Sequence, residues 1–167
     1  MNLLEIEVWL HVMAGITWIG LLYYFNFIQV PAMAAALADK DGPGPAAIAK
    51  YIAPRALLWF RWSALVTWLT GAAALEGVGV GFMNAFTFNG DVSTIVIGIG
   101  AWLGTIMLFN VWVLIWPNQK KILGMVAASD EEKARAKAVA FAASRTNTLL
   151  SIPMLMCMTG FAHGLPF

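Results

Sequence analysis

The two histidines are the residues of this chain best suited to chemistry. His11 lies near the start of the 167-residue sequence and His163 near its end. His11, Gly15 and Trp18 recur at i, i+4 and i+7, which is one face of a helix, and Gly160 lies one turn before His163. Two neutral imidazoles from facing helices can ligate the iron of haem b, which needs no covalent attachment. The glycines would leave room for the ring, and Trp18 would pack on it.

A purely structural interpretation of these residues stays open. Glycine in membrane helices commonly permits close helix packing, and a histidine can hydrogen-bond to a neighbouring helix. The sulfur atoms of Met154, Met156 and Met158 could suggest Cu(I). On a helix, however, Met156 points away from the other two, so soft packing explains the methionines better.

A second group of polar side chains lies toward the opposite ends of the apolar segments. Asn147 and Ser151 share a helix face at i, i+4. We interpret the group first as hydrogen-bonding contacts between helices, worth about 0.6 kcal/mol each on average. A site for a quinone head or another small polar ligand is the alternative. The group consists of Asn26, Arg61, Asn110, Asn118, Arg145, Asn147 and Ser151.

These side chains belong to a sequence that is too apolar for water. Hydrophobic residues make up 60% of the chain and charged residues 11%, against about 25% charged in soluble domains. The single cysteine cannot form an internal disulfide, and no CxxCH motif is present. The composition argues against a disordered chain, a disulfide-stapled module, a nucleic-acid-binding protein and an ordinary soluble domain. An integral membrane protein remains.

Four apolar segments are long enough to cross a bilayer, which takes about 20 residues of helix. We predict one transmembrane domain over residues 1–167. The first segment is not expected to be a cleaved signal peptide, because residues 1–7 carry no Lys or Arg. The predicted spans are about 6–30, 60–80, 92–116 and 146–164.

Local signals predict where several helices end. The second helix should stop near residues 76–80, followed by an outer loop. Pro31 and the alanines after it predict a helical continuation of the first span, ended by the turn at residues 41–45. Ser129 and Glu132 form a capping-box pattern, and the helix that starts there should run into the fourth span.

The basic residues predict the orientation. All ten lie between the first and second segments or between the third and fourth. The positive-inside rule then places both loops in the cytoplasm and both termini on the periplasmic side. The predicted fold class is therefore an all-α, multi-pass four-helix bundle in a bacterial-type inner (plasma) membrane. Both histidines fall in the outer leaflet, where no Lys or Arg is available to pair with haem propionates.

Several stretches resemble the amino-terminal membrane domain of the cytochrome-c-linked urate oxidases (urate hydroxylases). They include WLHVMAGITWIG at 9–20, NVWVLIWPNQKK at 110–121 and SRTNTLLSIPM at 144–154. Shorter ones are YYFNF at 23–27, RW at 61–62 and WLTG at 68–71. The resemblance covers nearly the whole chain and implies a redox role, with His11 matching the family's first-span histidine and His163 in the corresponding terminal segment.

Full-length members that the resemblance points to carry a longer membrane region and a c-type cytochrome, which this sequence does not contain. The first hypothesis is therefore an integral-membrane electron-transfer protein that binds haem b through His11 and His163. Its electrons would pass to a separate c-type cytochrome or a larger membrane complex. The alternative is a non-catalytic accessory subunit of such a complex. The expected partners are the lipid bilayer and one of these proteins, no nucleic acid is expected to bind, and no catalytic residue is assigned.

Overall fold

The computed structural model describes residues 2–164. The protein is all-α, as predicted, with 85% of the described residues helical. No strand occurs in residues 2–164. The helices are α1 (Leu3–Ala38), α2 (Ala53–Gly77, after a π-helical turn at Ile48–Ile52), α3 (Phe82–Thr87), α4 (Val92–Ile122) and α5 (Asp130–His163).

Two of these helices, α1 and α4, are long and apolar enough to cross a membrane. The other two long helices carry more polar sequence. Helix α2 contains Arg55, Arg61 and Glu76, and the first half of α5 is rich in charged residues. Length and composition therefore support two membrane-crossing helices, and the four-span arrangement stays a prediction.

Capping side chains start the first and last helices. Asn2 accepts from the backbone N–H of Glu5, whose carboxylate accepts from the N–H of Asn2 in return. Ser129 and Glu132 make the same reciprocal pair before α5, which confirms the capping box expected there. Helix α5 then continues without interruption to His163, as the sequence predicted. Each pair satisfies two N–H groups that the helix itself leaves unpaired.

Three π-helical segments lie within or directly before the long helices, and each of them precedes a proline. Proline has no N–H, and its ring crowds the carbonyl four residues earlier. The turn before it can relieve this crowding by widening to i→i+5 bonding. Each segment ends two residues before a proline: Tyr24–Gln29 before Pro31, Ile48–Ile52 before Pro54, and Asn110–Ile115 before Pro117.

The long helices pack in two principal pairs, α1 against α2 and α4 against α5. The pairs share one apolar core built around Trp18, Leu22, Phe60, Met107 and Val111, each no more than 2% exposed. Between helices that lie in a bilayer, such a core is stabilised by van der Waals packing and not by the removal of apolar surface from water. This core holds together the elements that carry both histidines.

The connection between α2 and α4 is more ordered than the expected loop. Helix α2 ends at Gly77, inside the predicted window. The following segment forms α3, where the sequence pattern predicted only a loop. Glu76 accepts from the backbone N–H of Phe82 at 2.7 Å, so this carboxylate caps α3. Gly98 of α4 lies against the backbone of Ala85, an approach that only a residue without a side chain permits.

Candidate functional site

A cavity of about 780 Å³ lies between α1, α2, α4 and α5, and we call it the histidine cavity. His11, Gly15 and Trp18 line it from α1, and His163 lines it from the end of α5. Gly160, the remaining residue proposed to admit a ring, is not among its lining residues. The volume lies within the range of small-molecule and cofactor sites, about 300–1,000 Å³. Residues from opposite ends of the sequence thus line one cavity, where His11 is half-buried and His163 is exposed.

The His11 ring is held by a hydrogen bond from α1 to α2. Its Nδ1 lies 2.8 Å from the backbone carbonyl oxygen of Thr67. A carbonyl oxygen only accepts, so Nδ1 carries the hydrogen and donates it. The Nε2 of the neutral ring then keeps its lone pair. Metal-binding histidines commonly show this arrangement, in which the second nitrogen donates to a carbonyl or carboxylate.

Gly71 supports the same ring from α2, a role that the sequence pattern did not predict. A Cβ atom at Gly71 would lie 2.7 Å from both Cε1 and Nδ1 of His11, closer than atoms can approach. The ring therefore fills the space that the missing side chain leaves. Gly71 belongs to the WLTG stretch at 68–71, which resembles the family. That resemblance does not identify the contact between Gly71 and His11.

Gly15 has a different environment. A Cβ atom there would lie 3.7 Å from the Thr67 methyl carbon, an ordinary van der Waals distance. Close helix packing therefore does not require glycine at this position. The absence of a side chain instead enlarges the cavity one turn from His11, as the helical spacing suggested.

Trp18 lies on the wall of the histidine cavity and is 2% exposed. Within residues 2–164, its indole N–H has no hydrogen-bond partner. Burying an unpaired donor costs about 1–3 kcal/mol. Trp18 therefore contributes a small part of its ring to the cavity wall, and its unpaired N–H is enclosed by the surrounding side chains.

The lining is poor in charge. No Lys or Arg occurs among the lining residues that the structure describes. Met154 and Met158 line the cavity and Met156 does not, as helical geometry predicted. Within the same part of the chain, no group of three or more His, Cys, Asp or Glu could hold a metal ion. Among the His, Cys, Asp and Glu residues of the described lining, only the two imidazoles are available to a metal.

The predicted polar cluster consists of separate contacts between helices. At its centre, Asn110 Nδ2 of α4 donates to Asn147 Oδ1 of α5 at 2.8 Å. Asn147 Nδ2 donates in turn to the Met107 carbonyl at 2.9 Å. Asn147 is 0% exposed, so the pair joins α4 to α5 inside the core.

Two further contacts join α1 to α5. Asn26 Nδ2 donates to Ser144 Oγ at 2.8 Å and also to the carbonyl of Leu22 in its own helix. The Tyr23 hydroxyl lies 2.9 Å from Ser151 Oγ. Tyr23 was not singled out in the sequence, because an aromatic residue in an apolar segment gives no sign of its polar partner.

The remaining members of the cluster do not join these pairs. The Arg61 guanidinium lies 3.8 Å from the Trp116 ring centroid, and that of Arg145 lies 5.2 Å from Phe141. Asn118 donates to the Leu114 carbonyl of its own helix. The polar residues therefore lie along the helix interfaces and do not surround one common site.

Comparison with protein families matches residues 77–166 to the family described as urate oxidase N-terminal. The matched region is just over half of the chain and contains α3, α4 and α5. It includes His163, whereas His11 lies before it. No curated protein and no solved structure matches the chain.

Proposed function

This chain belongs to the urate oxidase N-terminal family, and from that premise we propose that it is a membrane-embedded electron-transfer protein that holds haem b in the histidine cavity. One observation carries the proposal. His11 and His163, 152 positions apart by their numbers, line the same cavity as Gly15 and Trp18. Ligand pairs of this kind are built in helical bundles from side chains on facing helices.

The residues present fit the group. His11 offers Nε2 as a ligand while Thr67 and Gly71 hold its ring in place. His163 is the second ligand in this proposal, and the Trp18 indole is part of the wall against which the ring would pack. Haem would supply one-electron chemistry, with a potential set by its ligands, burial and surrounding hydrogen bonds. The apolar lining would limit the access of water.

The proposed setting is a bacterial-type inner membrane crossed by four helices, with both termini outside. Large apolar side chains project outward from every long helix, including Trp9 (60% exposed), Trp59 (66%), Phe109 (55%) and Leu149 (70%). Soluble monomers rarely expose contiguous apolar patches larger than a few hundred Å². Lipid contact on all four helices accounts for these faces.

Cysteine labelling of intact cells tests the orientation. In a Cys157→Ala background, a membrane-impermeant maleimide should label Gly90→Cys between α3 and α4. It should not label Met125→Cys between α4 and α5. The reverse pattern would overturn the proposed orientation, and labelling at both positions in sealed cells would overturn the four-span arrangement.

The electron acceptor in this proposal is a c-type cytochrome or a larger membrane complex. Each transfer would oxidise this protein by one electron and reduce the cytochrome by one. The charge-poor cavity lining favours the second candidate function, a non-catalytic accessory subunit, because its described residues include no Lys or Arg to pair with haem propionates.

An absorption spectrum separates the two candidates. Protein purified in detergent from haem-replete cells should show a Soret band that shifts on reduction. His11→Ala should abolish or strongly reduce the band, whereas Thr87→Val, whose hydroxyl bonds only within α3, should leave it intact. A well-folded but colourless wild-type protein would exclude the haem and favour the accessory role.

A further inference from the structure

A surface groove of about 690 Å³ runs between α1 and the start of α2, and we call it the Arg55 groove. Its lining is largely apolar and includes Ile16, Gly20, Leu21 and Trp59. Along the α2 side it extends from Tyr51 to Trp59, eight positions that correspond to about 12 Å of helix. The hydrocarbon depth of one leaflet is about 15 Å. The groove is therefore long enough to hold much of one lipid acyl chain.

A cationic end distinguishes this groove from the other apolar faces of the helices. Arg55 is exposed and is the one charged residue among the described lining residues. Its Nη1 donates to the carbonyl oxygen of Tyr51 at 2.8 Å, which places the guanidinium beside that residue. Lys50 Nζ lies 5.1 Å from the centroid of the Tyr51 ring. Two positive charges therefore lie beside Tyr51, at one end of the groove.

Neither cation has a carboxylate partner. The ion pairs formed by residues 2–164 both lie within α5, so in this part of the chain no Asp or Glu lies within 4 Å of the charged atoms of Arg55 or Lys50. A guanidinium has five N–H donors, and the Tyr51 carbonyl accepts from one. Arginine suits phosphate, because its planar fork can donate two parallel hydrogen bonds. An anionic phosphate would complete this end of the groove.

We propose that the Arg55 groove binds one anionic phospholipid of the inner leaflet. Arg55 would donate to the phosphate oxygens, and one acyl chain would lie along Trp59 and Gly20 toward Ile16. In the proposed orientation the basic loops face the cytoplasm, so the cationic end lies at the level of the inner head groups. Basic pockets between helices on that side of a membrane suit acidic lipids. The proposal rests on the membrane setting of the proposed function and does not depend on haem.

The other end of the groove adjoins the histidine cavity. Ile16 and Gly20 line both. A Cβ atom at Gly20 would have nothing within 4 Å, so this glycine leaves open space on the path of the acyl chain. A large apolar side chain at position 20 would occupy that space without touching the cationic end. The chain and the head group can therefore be tested by separate substitutions.

The two cations predict a preference among lipids. Phosphatidylglycerol and phosphatidylcholine share the phosphate and can carry the same acyl chains, but phosphatidylcholine adds a quaternary ammonium group. Arg55 and Lys50 would repel that group. Phosphatidylglycerol should therefore bind about tenfold more tightly than phosphatidylcholine. Inorganic phosphate has no acyl chain and should not displace the lipid.

Native mass spectrometry of the full chain, released from detergent, tests the proposal by titration with dioleoylphosphatidylglycerol or dioleoylphosphatidylcholine. The tightest binding of phosphatidylglycerol should saturate at one lipid per chain. Arg55→Gln should weaken it about tenfold and remove the preference between the two lipids. Gly20→Leu should weaken the binding of both lipids. Arg135→Gln is the matched control, because Arg135 is an exposed arginine of α5 outside the groove, and it should bind as the wild type does.

Four outcomes would overturn the proposal. Equal affinity for the two lipids is the first. The second is unchanged phosphatidylglycerol affinity in both Arg55→Gln and Gly20→Leu, and the glycine variant decides the matter if the arginine variant fails to fold. Equal weakening in Arg135→Gln would mean that surface charge attracts the lipid without a site. Displacement by inorganic phosphate would mean a simple anion site.

Failure of this proposal can be distinguished from failure of the membrane setting on which it rests. The cysteine labelling described above tests that setting without any added lipid. If the labelling pattern is as expected and the lipid titration fails, only the Arg55 groove is rejected. A reversed labelling pattern would reject the inner-leaflet position as well.

Discussion

Substituting Gly71 with alanine tests how the His11 ring is supported. The new Cβ would lie 2.7 Å from two atoms of the ring, so the imidazole has to move. The backbone of α2 is fixed by its helical bonds, whereas the ring can rotate. Rotation takes Nδ1 away from the Thr67 carbonyl, which now lies 2.8 Å from it. Steric crowding and the loss of one hydrogen bond therefore occur together.

The expected size of the effect follows from three contributions. Overpacking costs about 1–3 kcal/mol. The lost hydrogen bond costs about 0.5–1.5 kcal/mol. Replacing glycine by alanine inside a helix returns about 1 kcal/mol. We expect a net destabilisation of about 2 kcal/mol, which lowers the melting temperature by roughly 4–8 °C for a chain of this size.

Gly20→Ala is the matched control. It lies in α1, and a Cβ atom there would have nothing within 4 Å. The same substitution should stabilise the protein by up to about 1 kcal/mol through helix propensity alone. Thermal unfolding in detergent, followed by circular dichroism, compares the two variants. If the melting temperature of Gly71→Ala equals or exceeds that of Gly20→Ala, the proposed support of the ring is refuted. Because Gly20 also lines the histidine cavity, its variant is the control for stability only. A reduced Soret band in Gly71→Ala but not in Thr87→Val would extend the result to cofactor binding.

Three further predictions concern the scaffold. Gly98→Ala should detach α3, because the new methyl group would collide with the Ala85 carbonyl oxygen at a cost of about 1–3 kcal/mol. Limited proteolysis should then cut the segment between α2 and α4 faster than in the wild type. The backbone N–H of Ser129 holds the pKa of Glu132 below its ordinary value of 4.5. The contribution of the Glu132 cap to stability is complete above pH 4.5. It is lost as the pH falls through the lower pKa that Glu132 has in the folded protein. Helical content measured while the pH is lowered should show this loss. Glu132→Gln should remove the pH dependence, because its side chain does not titrate. Asn147→Leu should destabilise the protein by about 1–3 kcal/mol, because its amide partner on α4 loses its acceptor inside the core; denaturant unfolding measures this.

Local features of the fold were accessible from the sequence because their causes are local. The Ser129 capping box depends on residues three positions apart. The end of α2 follows from the glycines after Glu76. Helix α3 was missed because it depends on the Glu76 cap and on close packing against Gly98, and neither contact can be identified from local periodicity.

The candidate site was accessible only in part. Helical spacing and the placement of the basic residues suggested that His11 and His163 lie near each other, and both line one cavity. Gly71 was not found because its role depends on how α2 packs against α1. The sequence pattern predicts that the polar residues lie at a similar depth in the bundle. Which of them form pairs depends on side-chain length and on the rotation of each helix, and the pattern does not determine either.

The spin and coordination state of the iron tests the central claim most directly. Electron paramagnetic resonance of the oxidised protein should show low-spin haem with two imidazole ligands, at one haem per chain. His11→Ala and His163→Ala should each convert it to a high-spin form or release it. A protein without haem, or a low-spin signal that persists in both variants, would contradict the account.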